Sequence, residues 1–225
     1  MIMIHGGGWY MGSNEDNLVI NQHMASRGYK VFAPTYNLTK QFPTQMNDIA
    51  AFTTWLNNNK FNFGIVNAPI SIGGASAGAH LALFESTKGT IPFKCVFDIA
   101  GPVDVDKMKS DLATVNYTDY PAQKQVMADV IDNILNTVSP TLVQQQQGSV
   151  KGTIHAQHIF ALHNENDMLI PFIQTQRLAS TYGSQVTIIK LPFNSDTFGG
   201  GHNLGGSIHK FGVPTFDTHL ANYCK

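Results

Sequence analysis

Charge is scarce in this sequence. Asp, Glu, Lys and Arg make up only 13% of 225 residues, and the net charge of −1 leaves no field of either sign. A chain that holds nucleic acid needs clustered Lys and Arg to neutralise phosphates, so a nucleic-acid partner is excluded. Disorder is excluded too, because 43% hydrophobic residues supply the apolar surface that disordered chains lack. Long apolar runs are missing: nothing approaches the roughly 20 residues that cross a bilayer, so no membrane span is expected. The first apolar residues run straight into His5-Gly6-Gly7-Gly8, without the form of a secretory leader. A cytoplasmic location is therefore favoured. Cysteine is nearly absent as well. Cys95 and Cys224 stand far apart, match no metal-ligand spacing, and sit in a composition unlike a disulfide scaffold. Cys95, inside the apolar run Phe93–Phe97, is expected as a buried strand thiol unpaired with Cys224. No H-E-x-x-H, G-x-G-x-x-G or phosphate-loop pattern occurs, so neither metal nor organic cofactor is expected.

What is present is rhythm. Met1–Ile4, Tyr29–Ala33, Ile70–Ile72, Phe93–Ala100, His158–Leu162 and Val186–Leu191 are apolar runs of strand length. Near-continuous runs of this kind suit strands buried on both faces. Helix-length segments lie between them. Asn17–Ser26 leads to a stop at Gly28. Thr44–Asn57 carries Met46, Ile49, Thr53 and Leu56 near a 3.6 period. Ala77–Ser86 is rich in Ala and Leu, and Pro171–Tyr182 opens on a first-turn proline. Ser207–Tyr223 is interrupted by Gly212 and Pro214. The alternation predicts an α/β protein with a mostly parallel central sheet flanked by helices. Residues 1–225 suit one domain, and no linker divides them. Residues 101–152 break the rhythm. They hold one amphipathic helix, Ala122–Thr137, with Val126, Val130, Ile131, Ile134 and Leu135 on one side, and then a surface loop at Gln144–Gln147. They read as a cap-like excursion from the sheet.

Four short stretches carry chemistry. Gly74-Ala75-Ser76-Ala77-Gly78 fits G-x-S-x-G between an apolar run and a helix-forming one, the strand–turn–helix setting of a nucleophile elbow. Its serine would stand above the sheet at a helix N-terminus, where developing negative charge is favoured. His5-Gly6-Gly7-Gly8-Trp9 follows the first strand. Consecutive glycines let backbone N–H groups converge on one point, so Gly7 and Gly8, joined by Ala77, are the expected oxyanion donors. His5 is read as shaping the loop. A serine nucleophile also needs a base and an acid that orients it. Of nine histidines, His202 is the expected base, in a glycine-rich loop just beyond the last strand. His80, within the elbow helix, is read as structural. His23, His209 and His219 fall on helical segments as surface or packing residues, and His155 and His158 flank a strand start without a metal pattern. Asp167, in the loop after His158–Leu162, is the expected acid, with Glu165 as its rival. Trp9 and Tyr10 are candidate substrate-pocket walls or, equally, packing aromatics.

Together these stretches resemble the hormone-sensitive-lipase-like, carboxylesterase-type branch of the α/β hydrolases. The H-G-G-G-W form is most similar to its small esterases, which shade into feruloyl-esterase-like and arylformamidase-like members. The matches are His5–Trp9, Gly74–Gly78, Asp167–Pro171 as D-x-x-[VI]-P, and Gly201–His202. The resemblance implies an α/β-hydrolase fold and assigns the nucleophile to Ser76, the acid to Asp167, the base to His202 and the oxyanion donors to Gly7, Gly8 and Ala77. It implies that the excursion follows the family's sixth strand and roofs the pocket. It also implies a serine carboxylester hydrolase for short-chain or small aryl esters, acting on a small-molecule ester without cofactor. An amidase, arylformamidase or peptidase using the same triad is the alternative, and a non-catalytic ligand-binding module the remote one. Such proteins carry several dozen residues before H-G-G-G, so a short or missing N-terminal hairpin is expected. An uncovered sheet edge there would favour a homodimer.

Overall fold

The computed structural model describes residues 1–191, 202 and 213–224. Among the described residues five parallel strands form one sheet in chain order: β1 (Ile2–Ile4), β2 (Ile72–Ala75), β3 (Phe93–Ile99), β4 (Ala156–Asn164) and β5 (Val186–Leu191). Parallel neighbours require crossovers, and helices supply them. These are α1 (Leu18–Ser26), α2 (Thr44–Asn58), α3 (Ala77–Ser86), α4 (Met108–Asp111), α5 (Gln123–Val138), α6 (Leu142–Gly148), α7 (Ile173–Tyr182) and, after β5, α8 (Val213–Tyr223).

Strand side chains alternate between two faces, and two core clusters follow from that. Ile2, Ile4, Ile72, Val96 and Ile159 pack against α2, α3 and α7. Met1, Met3, Cys95, Phe97 and Phe160 pack against Ile20 and Met24 of α1 and Leu220 of α8. With both faces covered, the strands need no polar side, which is why they read as continuous apolar runs.

Four expectations are corrected. Tyr29–Ala33 is not a strand: one parallel bridge, Phe32 to Ile2, joins it to the sheet. Three-residue β1 offers little length to pair with, and the ladder amounts to Met3 N–H to Phe32 O and Phe32 N–H to Met1 O, each 2.9 Å. Gln144–Gln147 lies inside helix α6, because Thr141 and Gln144 form a reciprocal capping box that satisfies the helix's first donors. Pro214 does not interrupt α8. It is the second helical residue, in the first turn, where a missing N–H costs nothing; residues 207–212 and His209 lie outside the described residues. Finally, Cys95 and Cys224 are disulfide-bonded, with Cα atoms 5.6 Å apart. Separation in sequence carries no information about this contact. The end of α8 packs on the sheet face to which Cys95 points, beside the tilted ring contacts of His219 and Tyr223 with Phe160. His23 reaches Asp217 of α8 at 2.8 Å, a further tie between that helix and α1.

Candidate active site

The carboxyl ends of β1, β2 and β4 converge on one cavity of about 920 Å³. Ser76 sits between β2 and α3 with φ 53° and ψ −120°, a strained conformation for a non-glycine residue. Its surroundings over-determine it. The Ser76 N–H donates to Ile99 O at 2.8 Å, and the His80 N–H donates to Ser76 O at 3.1 Å. The flanking glycines are required by contact. A Cβ on Gly74 would lie 2.5 Å from the Ile4 carbonyl oxygen, and one on Gly78 would collide with the same atom. The elbow therefore closes directly onto the end of β1.

The loop after β1 turns through three successive positive φ angles: Gly7 at 102°, Gly8 at 57° and Trp9 at 66°. The Gly7 carbonyl accepts from the Tyr10 and Met11 N–H groups at 3.2 and 3.0 Å. Among the described residues no protein acceptor takes the N–H of Gly7 or Gly8, and both residues line the cavity beside Ser76. Ala77 opens α3, so its N–H belongs to the unpaired first turn. Trp9 is buried, stands edge-on to Phe42 and His80, and touches the cavity. Tyr10 is half-buried, and its hydroxyl accepts from Asn133 Nδ2 at 3.3 Å. His5 is buried and stacked 4.3 Å from Tyr36; burial lowers its pKa.

His202 brings the two remaining residues together. Its Nε2 lies 2.9 Å from Ser76 Oγ and its Nδ1 2.8 Å from Asp167 Oδ2. Gly201 and Asn203 beside it are outside the described residues. Asp167 is fully buried. Burial pushes its pKa up, yet the His202 charge, with hydrogen bonds from His163 and His202, outweighs this and holds it well below the usual carboxylate range. Its Oδ1 accepts from the Leu169 and Ile170 N–H groups, both at 2.9 Å. Glu165 points outward to Lys190 at 2.7 Å and takes no part in this network.

Two residues near the site carry no signal in the sequence pattern. His163, at the end of β4, places Nε2 3.1 Å from Asp167 Oδ2. It stands four residues before the acid, and no local periodicity marks it. Asp98 of β3 is buried, accepts from the Gly101 N–H at 2.8 Å, and leaves Oδ2 unpartnered among the described residues.

Besides Ser76, the cavity is lined by residues from 101–152 and from α1. Val126, Val130 and Ile134 of α5, Val19 and Ile20 of α1, and Met108, Leu169 and Ile170 all line it. The apolar stripe expected on α5 thus divides. Met127, Ile131, Leu135 and Val138 enter the core, while Val126 and Val130 face the cavity. Among the described residues no cluster of three potential metal ligands occurs.

A parallel sheet with helices on both faces, carrying a serine on a strained strand-to-helix turn, defines the α/β-hydrolase fold. The chain belongs to the BD-FAE family, whose model matches residues 1–182. It is 21% identical to Esterase LipC of Mycobacterium tuberculosis over 217 residues, 91% of this chain and 52% of the relative, so it spans about half the length of that curated relative. Solved structures similar to it include fungal esterases from Rhizomucor miehei, with TM-score 0.75, 18% identity, and coverage of 99% of this chain and 74% of that one. Carboxyl esterase 2 of Tuber melanosporum gives TM-score 0.72 at 19% identity, covering 99% and 76%. The esterase of Pyrobaculum calidifontis gives TM-score 0.68 at 19% identity, covering 84% and 65%. No helix among the described residues is long and apolar enough to cross a membrane.

Proposed function

We propose that this chain is a serine hydrolase that cleaves carboxylic esters by two-step acyl transfer. The observation that carries the reading is the unbroken chain of contacts from Ser76 Oγ through His202 to Asp167, at 2.9 and 2.8 Å. Ser76 Oγ attacks the ester carbonyl while His202 Nε2 takes its proton. Asp167 keeps the other imidazole proton on Nδ1 and stabilises the imidazolium. The N–H groups of Gly7, Gly8 and Ala77 hold the oxyanion, each contributing roughly 3 kcal/mol to the transition state. His202 then protonates the departing alcohol. Water, deprotonated by the same imidazole, releases the acid and restores Ser76.

The substrate is a neutral small molecule with an apolar acyl or aryl group, because among the described residues the cavity walls are mostly apolar and include no Lys or Arg. Residues 101–152 serve as its cap within a single domain. Esterase LipC and the named fungal and archaeal esterases support ester cleavage as the reaction. The Cys95–Cys224 disulfide favours an oxidising compartment over the cytoplasm.

The test is hydrolysis of p-nitrophenyl acetate, butyrate and octanoate by wild type and Ser76→Ala. Turnover should fall by about 10⁴-fold or more in the variant, and the chain-length profile sizes the acyl site. Equal turnover in both proteins would sink the mechanism. Faster cleavage of a matched anilide than of its ester would reassign the chain as an amidase. No turnover in either protein, with no covalent adduct from a fluorophosphonate probe, would make it a binding module.

A further inference from the structure

We infer that His163 is a positioning residue for the acid of the triad, and that the Thr175 hydroxyl supports the tautomer in which it works. The inference rests on the triad reading above and concerns groups that never touch substrate.

Asp167 receives four donors. Two backbone N–H groups hold Oδ1, and two imidazoles share Oδ2: His202 Nδ1 at 2.8 Å and His163 Nε2 at 3.1 Å. His163 Nε2 also lies 2.9 Å from Ile170 O. Both of its neighbours only accept, so Nε2 must carry the proton. In the neutral ring Nδ1 is then an acceptor, and Thr175 Oγ1 stands 2.6 Å from it to donate. His163 and Thr175 are both fully buried, and the ring meets Phe172 edge-on at 5.6 Å. Water cannot replace the missing partner in such a place without cost.

The arrangement has a chemical consequence. A donor on Oδ2 from His163 draws part of the Asp167 charge away from His202. Without it the carboxylate acts on His202 alone and stabilises the imidazolium more strongly. In the opposite tautomer the Nε2 lone pair of His163 would face two oxygens, repel Asp167, and act in the same direction. The other titratable groups facing this pair are Asp98 of β3, on the His163 side, and Tyr117 of the excursion, whose hydroxyl donates to Met168 O at 3.2 Å. Neither hydrogen-bonds His163 or Asp167 among the described residues.

The experiment is the pH profile of kcat/KM for p-nitrophenyl butyrate in wild type, Thr175→Val and Thr175→Ser, with Ser76→Ala as control. Thr175→Val keeps the shape and removes the donor. Its acid limb should move to higher pH by about half a unit to one unit, and kcat should fall about tenfold with KM within twofold. Thr175→Ser keeps the hydroxyl and should restore both. A lowered melting temperature with an unmoved acid limb in Thr175→Val would mean a structural role only and overturn the inference. If Thr175→Val does not accumulate, ¹⁵N-resolved imidazole spectra of the wild type decide: His163 protonated on Nε2 at neutral pH supports it, and the Nδ1–H tautomer overturns it. Ser76→Ala retaining turnover overturns the triad reading itself. Ser76→Ala inactive with an unmoved Thr175→Val profile overturns this inference alone.

Discussion

Ser76 and the loop Gly6–Trp9 are held by backbone, whereas Asp167 and His202 are held by side-chain hydrogen bonds. On the first side the devices are positive φ angles at Gly7, Gly8, Trp9 and Ser76, and glycines that let the elbow rest on the Ile4 carbonyl. On the second side the devices are four donors around one buried carboxylate. The difference teaches how each half should fail. A half built of close backbone approaches fails when a side chain is enlarged. A half built of proton positions fails when an acceptor becomes a donor, even with shape unchanged.

Asp167→Asn should therefore have the largest effect for the smallest change in volume. An amide offers one oxygen and one NH₂ group to four donors, so at least one N–H of the network meets another N–H. With the His202 tautomer no longer enforced, kcat should drop about 10⁴-fold at neutral pH. Far-ultraviolet circular dichroism should stay native, since the position is isosteric. Turnover within tenfold of wild type would show that the acid–base half does not depend on the proton arrangement.

Gly8→Val tests the other half. The residue has φ 57°, and an added Cβ would meet Ile134 of α5 at 3.3 Å. A β-branched side chain is poorly tolerated there, so the loop must shift and move its N–H away from the proposed oxyanion position. A loss of about 10²- to 10³-fold in kcat is expected. The acid limb of kcat/KM should stay in place, because Asp167 and His202 are untouched. A shifted acid limb in this variant would mean that the two halves are coupled and the comparison is wrong.

The same difference explains what could be read from sequence. The elbow and the glycine loop were legible because each is a contiguous stretch whose conformation depends on its own residues. Ser76 lies on the turn between β2 and α3, and Gly7 and Gly8 lie in a loop of positive φ after β1. Asp167 and His202 were reached through chain order and loop placement, and their mutual distance was not derivable. His163 was invisible because its role depends on Thr175 and Ile170, which only the return of the chain from β4 into α7 brings into place. The Cys95–Cys224 bond was misread for a related reason: composition describes the average chain, while one helix end docking on one strand decides a disulfide. The short α6 was missed because a run of glutamines looks like a loop until Thr141 is recognised as its cap.

The smallest effect expected concerns stability and lies in two buried groups beside the site. His80, on the elbow helix, accepts from the Trp9 indole N–H at Nδ1, 3.1 Å away, and donates from Nε2 to Gly148 O at 2.6 Å. Burial lowers its pKa from 6.5 to about 4. As pH falls below about 6.5 the unfolded chain takes a proton that the native state refuses until about pH 4. The stabilisation is full above that window and is lost across it, by about 3 kcal/mol. Asp98 runs the other way. Burial raises its pKa from 3.8 to about 6, so the native state takes the proton first as pH falls. Stability is gained between pH 6 and 3.8, again by about 3 kcal/mol. In the wild type these two contributions nearly cancel. Asp98→Asn should remove the gain alone. Between pH 6.5 and 4 its unfolding free energy in urea should drop about 3 kcal/mol further than that of the wild type, and His80→Phe should diverge in the opposite direction. Parallel pH dependences for wild type and both variants would show that neither buried group changes its proton affinity on folding. His80 would then join the loop to the excursion by packing alone.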